Sequence, residues 1–153
     1  MPRRSGTLVF LVAAIAIAGC GQSKEDEYAD DFKPLNDRLL VLGQQIGTGL
    51  DSAGDRTNAK LTSQFGRFAS DLKKVNRQIA DLDPPKELQD ESKALVEHTD
   101  VVVKDLEDIS AAARSGDRKA ATRATIAFGR HSPQLNQAQN GLAKATGADP
   151  GTR

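Results

Sequence analysis

Apolar side chains recur at intervals of three and four along most of this chain. From Tyr28 through Phe32, Leu35, Leu39, Leu42 and Ile46 to Leu50 the steps are 4, 3, 4, 3, 4 and 4. From Leu61 through Phe65, Phe68, Leu72, Val75 and Ile79 to Leu82 they are 4, 3, 4, 3, 4 and 3. Residues three and four apart share one face of an α-helix, so each run predicts a helix with a single apolar stripe. Leu88, Leu95, Val102, Leu106, Ile109 and Ala113 form a third stripe, and Ala121, Ala124, Phe128, Leu135, Ala138, Leu142 and Ala145 a fourth. A sustained alternation of period two is absent, which predicts no sheet. Short connections between the stripes turn each helix back along the previous one. The expected fold is therefore all-α, an antiparallel up-down-up-down four-helix bundle over residues 28–146.

Turn residues fall where the stripes break. Asp83 precedes Pro84 and Pro85, and a residue before proline is pushed out of the helical region, so the second helix should stop near Leu82. Asp83 is then placed to cap the third helix, with a proline in its first turn. Ser115-Gly116-Asp117 offers a glycine to end one helix and an aspartate to cap the next. Gly47, Gly49, Asp51, Ser52, Gly54 and Asp55 predict the loosest turn. Pro34 and Pro133 fall inside apolar registers that continue on both sides, which predicts kinks rather than ends. Gly43, Gly66, Gly129 and Gly141 lie in expected helix interiors, each costing about 1 kcal/mol relative to alanine.

The first 20 residues have a different composition. Arg3 and Arg4 precede 11 uninterrupted apolar residues from Leu8 to Ala18, with no acid among them. That is the plan of a secretory leader, and the run is short of the roughly 20 residues a spanning helix needs. It ends in Ile17-Ala18-Gly19-Cys20, which resembles the lipobox of bacterial lipoproteins. The resemblance implies cleavage after Gly19 and a lipid joined to Cys20 through a thioether. Ser5-Gly6-Thr7 lacks the hydrophobic residues that twin-arginine export requires, so general secretion is expected. The resemblance also implies attachment to the cell membrane or outer membrane, with the domain exposed outside the cytoplasm. Gly21 replaces the aspartate associated with inner-membrane retention, which favours the outer membrane in a two-membrane cell.

Removing residues 1–19, Arg3 and Arg4 among them, leaves 134 residues with 19 basic and 21 acidic side chains. A domain so nearly neutral has no excess positive charge to drive nucleic-acid binding. Cys20 is the only cysteine, so once lipidated it leaves none for a disulfide or a thiolate metal site. Residues 20–27 are expected to be the lipidated cysteine and a polar tether; the seven from Gly21 to Glu27 reach about 25 Å when extended. Residues 147–153 are expected to form a disordered tail.

Chemistry-bearing residues are sparse. The chain's two histidines, His98 and His131, fall on or beside the apolar seam. Counted from Gly116, they stand within about 5 Å of the same height on adjacent helices. Facing one another, with Glu91, Glu97 or Asp71 nearby, they could form a metal site, a pH-sensitive core or a ligand pocket. The alternative is that each is a half-buried seam residue satisfied by water or by a hydroxyl such as Thr99. Leu95 and Phe128 stand three residues before them, which excludes the Glu-x-x-His pattern of di-iron bundles. No Cys-x-x-Cys-His segment is present for haem, no serine sits in a strand-to-helix elbow, and there is no phosphate loop. The expectation is a non-enzymatic helical module without a cofactor, anchored to the membrane through Cys20 and contacting another envelope component. The competing expectation is a small-ligand or metal-sensing bundle that uses His98 and His131.

Overall fold

The computed structural model describes residues 23–148. The leader, Ile17-Ala18-Gly19-Cys20 and residues 149–153 lie outside the described residues. Four α-helices follow in order: α1 (Lys24–Asp51), α2 (Asn58–Ala80), α3 (Gln89–Ser115) and α4 (Arg118–Ala145). Two 3-10 turns, Ala53–Asp55 and Lys86–Leu88, complete the regular structure, and the described residues contain no strand. The all-helical bundle read from the stripes is the fold.

Helix α1 begins earlier than expected, within the residues assigned to the tether. Ser23 Oγ accepts from the Asp26 amide at 3.1 Å and Asp26 returns the contact to the Ser23 amide at 3.4 Å. Such a reciprocal box satisfies two amides that the helix itself leaves unbonded. Glu25, Asp26 and Glu27 add negative charge against the positive end of the helix dipole. At its other end α1 runs through Gly47 and Gly49 to Asp51, so the connection to α2 is shorter than the glycines implied. It is helical on both sides of Pro34, as α4 is on both sides of Pro133.

Asp83 does not cap α3. Helix α2 stops at Ala80, Pro85 is extended at φ −57° and ψ 156°, and the chain tightens into the Lys86–Leu88 turn before α3 starts. Two consecutive prolines hold the backbone extended long enough to carry the helix start beyond the reach of Asp83. The N-cap position falls on Leu88, which makes no side-chain cap. Asp83 instead accepts from Lys24 Nζ at 3.1 Å, fastening the start of α1 to the end of α2.

The α3–α4 reversal forms as its residues dictate. Gly116 adopts the left-handed conformation at φ 70°, and the Asp117 amide bonds back to the Ala112 carbonyl at 3.1 Å. Asp117 then accepts from the Ala120 amide at 2.9 Å to cap α4.

The four stripes meet in one apolar core. Phe32, Phe65, Val75, Ile79, Leu95, Val102, Leu106 and Leu142 are fully buried. Tyr28 stacks on Phe32 with ring planes 1° apart, and Phe65 meets Phe68 edge-on at 5.8 Å. On α4 the stripe is displaced near its end: Ala145 is exposed, while Ala143 and Ala148 are buried. Ala148 thus belongs to the core and not to a disordered tail. Helix α3 packs along its length against both α2 and α4, whereas α1 rests mainly on α2 and meets α4 at few points.

Candidate functional site

The two histidines take different partners from those the count suggested. His131 Nδ1 lies 2.7 Å from Asp105 Oδ2, and the Asp105 side chain is only 8% exposed. In the tautomer that carries a proton on Nδ1, His131 donates to this carboxylate oxygen. His131 stands 15 residues after Gly116 and Asp105 stands 11 before it, so the tight reversal shifts the facing register by about one turn. His98, seven residues before Asp105, is therefore displaced by about 10 Å along α3. The structure brings together His131 and Asp105, not His98 and His131. Asp71 pairs with Lys74 at 3.2 Å and Glu97 lies 3.8 Å from Lys93, so neither serves a histidine. Among the described residues, no group of three or more His, Cys, Asp or Glu side chains could hold a metal ion. Thr99 donates to the Leu95 carbonyl of its own helix at 2.7 Å.

Sequence reasoning passed over Asp105 because Lys104 and Leu106 flank it and nothing distinguishes it from a solvated acid. It also passed over two polar insertions in the core. Asn76, 3% exposed, donates through Nδ2 to the Val96 carbonyl at 3.1 Å and to Asp100 Oδ1 at 2.7 Å. Asn36, 1% exposed, donates to the Ala148 carbonyl at 3.2 Å and accepts from Gln139 Nε2 at 2.9 Å. These bonds tie α2 to α3 and α1 to α4, because a buried amide left unbonded is costly. A polar residue on an otherwise apolar stripe is the available signal, and Asn36 beside Leu35 carries it.

That economy has two exceptions among the described residues: Asn76 Oδ1, which is buried without a partner, and Tyr28. The Tyr28 hydroxyl is buried without a hydrogen-bond partner. Burial pushes the phenol above its ordinary value of 10.0, and the nearby Ser92 hydroxyl opposes this without reaching good bonding geometry.

Between α1 and α4 the bundle does not close. A cavity of about 200 Å³ opens there, walled by Leu39, Ile46, Leu72, Val102, Phe128 and Leu135 and edged by Ser132, Asn136 and Gln139. Gly43 and Gly47 complete the α1 side, and a Cβ built on either would meet nothing within 4 Å. Gln139 is 5% exposed, and its Nε2 is committed to Asn36. No donor among the described residues reaches its Oε1. Helix spacing, which the stripes do not encode, determines this opening.

Charge is also segregated along the bundle. Arg56, Lys60, Arg114, Arg118, Lys119 and Arg123 are all exposed near the α1–α2 and α3–α4 connections, where Gly116 lies beside Asn58. None of the six enters an ion pair among the described residues. The opposite end carries Glu25, Asp26, Glu27, Asp83, Glu87 and Asp90, with Lys24 already paired to Asp83. Asp51, Asp55 and Asp117 are exposed at the same connections as the six cations, so the near-neutral total conceals a strongly acidic end and a mildly basic one.

No described helix is long and apolar enough to cross a membrane. Comparison with protein-family models, with curated proteins and with solved structures gives no match to this chain.

Proposed function

We propose that this chain is a lipid-anchored, non-enzymatic module of a bacterial envelope that contacts an anionic envelope component with the end of its bundle farthest from the lipid. The observation that carries the reading is the apolar run Leu8–Ala18 closing on Ile17-Ala18-Gly19-Cys20, the pattern that resembles a lipobox. Ser23, the cap of α1, follows Cys20 by three residues, about 10 Å of extended chain. A lipid on Cys20 would therefore hold the start of α1 against the membrane. In an up-down-up-down bundle, the α2–α3 connection shares that end, and the α1–α2 and α3–α4 connections face away. The acidic end then lies next to the membrane, and the six exposed cations point outward. Charge of this kind steers encounter with a negatively charged partner and suppresses wrong ones.

Mass spectrometry of the protein from its native envelope tests the anchor. The expected species begins at Cys20 and carries a diacylglyceryl thioether; an unacylated chain that retains residues 1–19 would overturn the reading. Photo-crosslinkers at Lys119 and Lys86 test the direction. Adducts with an envelope component are expected from Lys119, and adducts from Lys86 alone would reverse the orientation.

A further inference from the structure

We propose that the opening between α1 and α4 is a binding site for a small apolar ring compound bearing one N–H or O–H donor, of the indole or phenol kind. The volume sets the class. An apolar cavity of roughly 150 Å³ accommodates benzene, and this one, at about 200 Å³, has room for one ring or a small fused pair. The walls agree with it: α1 contributes Ile46, α2 Leu72, α3 Val102 and α4 Phe128, so the cavity reaches the bundle axis and offers an aromatic face. Aromatic rings gain from edge or offset contact with such a face.

The donor requirement comes from Gln139. This side chain is nine-tenths buried, and its Nε2 is fixed by the bond of 2.9 Å to Asn36 Oδ1. The amide is thus held in one orientation, leaving Oε1 as an acceptor without a donor among the described residues. Tyr28 and Asn76, not Gln139, hold the fully enclosed unpaired oxygens among the described residues, so water reaches Oε1 at the cavity and a ligand that brings a hydrogen replaces that water without losing the bond.

Gly43 and Gly47 supply the independent observation. Glycine weakens a helix interior relative to alanine. At Gly49 close packing explains the residue, since a Cβ would stand 2.9 Å from Gln64 Nε2 and Phe68 Cε2. At Gly43 and Gly47 no neighbour lies within 4 Å, so packing does not require them. What they do is leave the mouth of the cavity unobstructed. Gly129 and Gly141 in α4 also meet nothing within 4 Å, but of these open glycines only Gly43 and Gly47 line the cavity.

The inference does not depend on the lipid anchor. It is tested by titrating the full-length protein with indole and following chemical shifts by NMR. Saturable one-to-one binding is expected, with shifts at Phe128 and Gln139. Gly47→Leu should weaken indole by about tenfold or more while leaving the unfolding midpoint equal or higher, which separates a blocked mouth from a damaged fold. Benzofuran, which has the shape of indole without its N–H, should bind about tenfold more weakly than indole. No saturation, or unchanged affinity in Gly47→Leu, would overturn the site. Equal binding of benzofuran and indole would overturn the assigned role of Gln139.

Discussion

Helix α1 meets its two neighbours in opposite ways. Against α2 it comes close enough that Gly49 leaves no space for a Cβ between itself and Phe68. Against α4 it stands off, and the gap beside Gly43 and Gly47 is a cavity. Three glycines in one helix, within seven residues of each other, thus do two different jobs. One admits a neighbouring helix, and the other two border an open gap. Composition and period cannot separate these roles, because both seams read as the same apolar stripe flanked by small residues.

The closed seam should be the more sensitive. Gly49→Leu places a branched side chain where Gln64 and Phe68 already stand, and overpacking of this kind costs about 1–3 kcal/mol. Urea denaturation of the variant should show the upper part of that range. A loss below about 0.5 kcal/mol would mean that α1 can slide on α2 without penalty, and the contrast between the seams would fail.

Next in size is the contact that keeps α4 seated on α3 and so away from α1. His131→Ala leaves the Asp105 carboxylate buried without its partner, at a cost of about 2 kcal/mol. Asp105→Ala in the same background should recover part of that loss, since both members of the pair are then gone. A double-mutant cycle reads the coupling directly. Additive losses would show that Asp105 finds water instead and that the pair does not position α4.

These contrasts also show where the sequence stops being informative. The stripes on α1 and α2, built from Phe, Leu, Val and Ile, were readable almost residue by residue, because large apolar side chains have only one favourable place. The α4 stripe relies on alanine, which is nearly indifferent to exposure, and there the reading placed Ala145 inward where the structure buries Ala143 and Ala148. Ser23-x-x-Asp26 is a capping signal, yet it lies in a run polar enough to resemble a tether. The histidines were placed correctly near the seam, but their partners depended on a register shift of about one turn across the Gly116–Asp117 reversal. The α1–α4 cavity was not readable at all. It is a distance between two helices, and a one-dimensional pattern specifies faces rather than separations.

On the open side the sign of the effect should reverse. Gly43→Ala adds a methyl group that meets nothing within 4 Å and removes the conformational penalty of glycine in a helix interior. The expected change is a gain of about 1 kcal/mol, seen as a higher denaturation midpoint with an unchanged slope. A loss of stability would mean that the backbone at Gly43 is packed against a neighbour after all, and the two seams would then be alike.

The smallest effect belongs to Tyr28, which continues the closed side of α1 toward its start. Its ring stacks on Phe32, but its hydroxyl is buried without a hydrogen-bond partner. Tyr28→Phe keeps the ring and deletes only that unsatisfied group, so stability should rise by up to about 1 kcal/mol near neutral pH. The alkaline range gives a second readout. Burial holds the folded phenol above its ordinary value of 10.0, so the unfolded chain ionises first as pH rises. Stability from the neutral phenol is complete below about pH 10 and is lost progressively as pH climbs through the raised folded value. The wild type should therefore lose more stability than Tyr28→Phe between pH 9 and pH 11, roughly the window around the unfolded value. Parallel curves would mean that the hydroxyl reaches water, and that the closed side of α1 is open at this end as well.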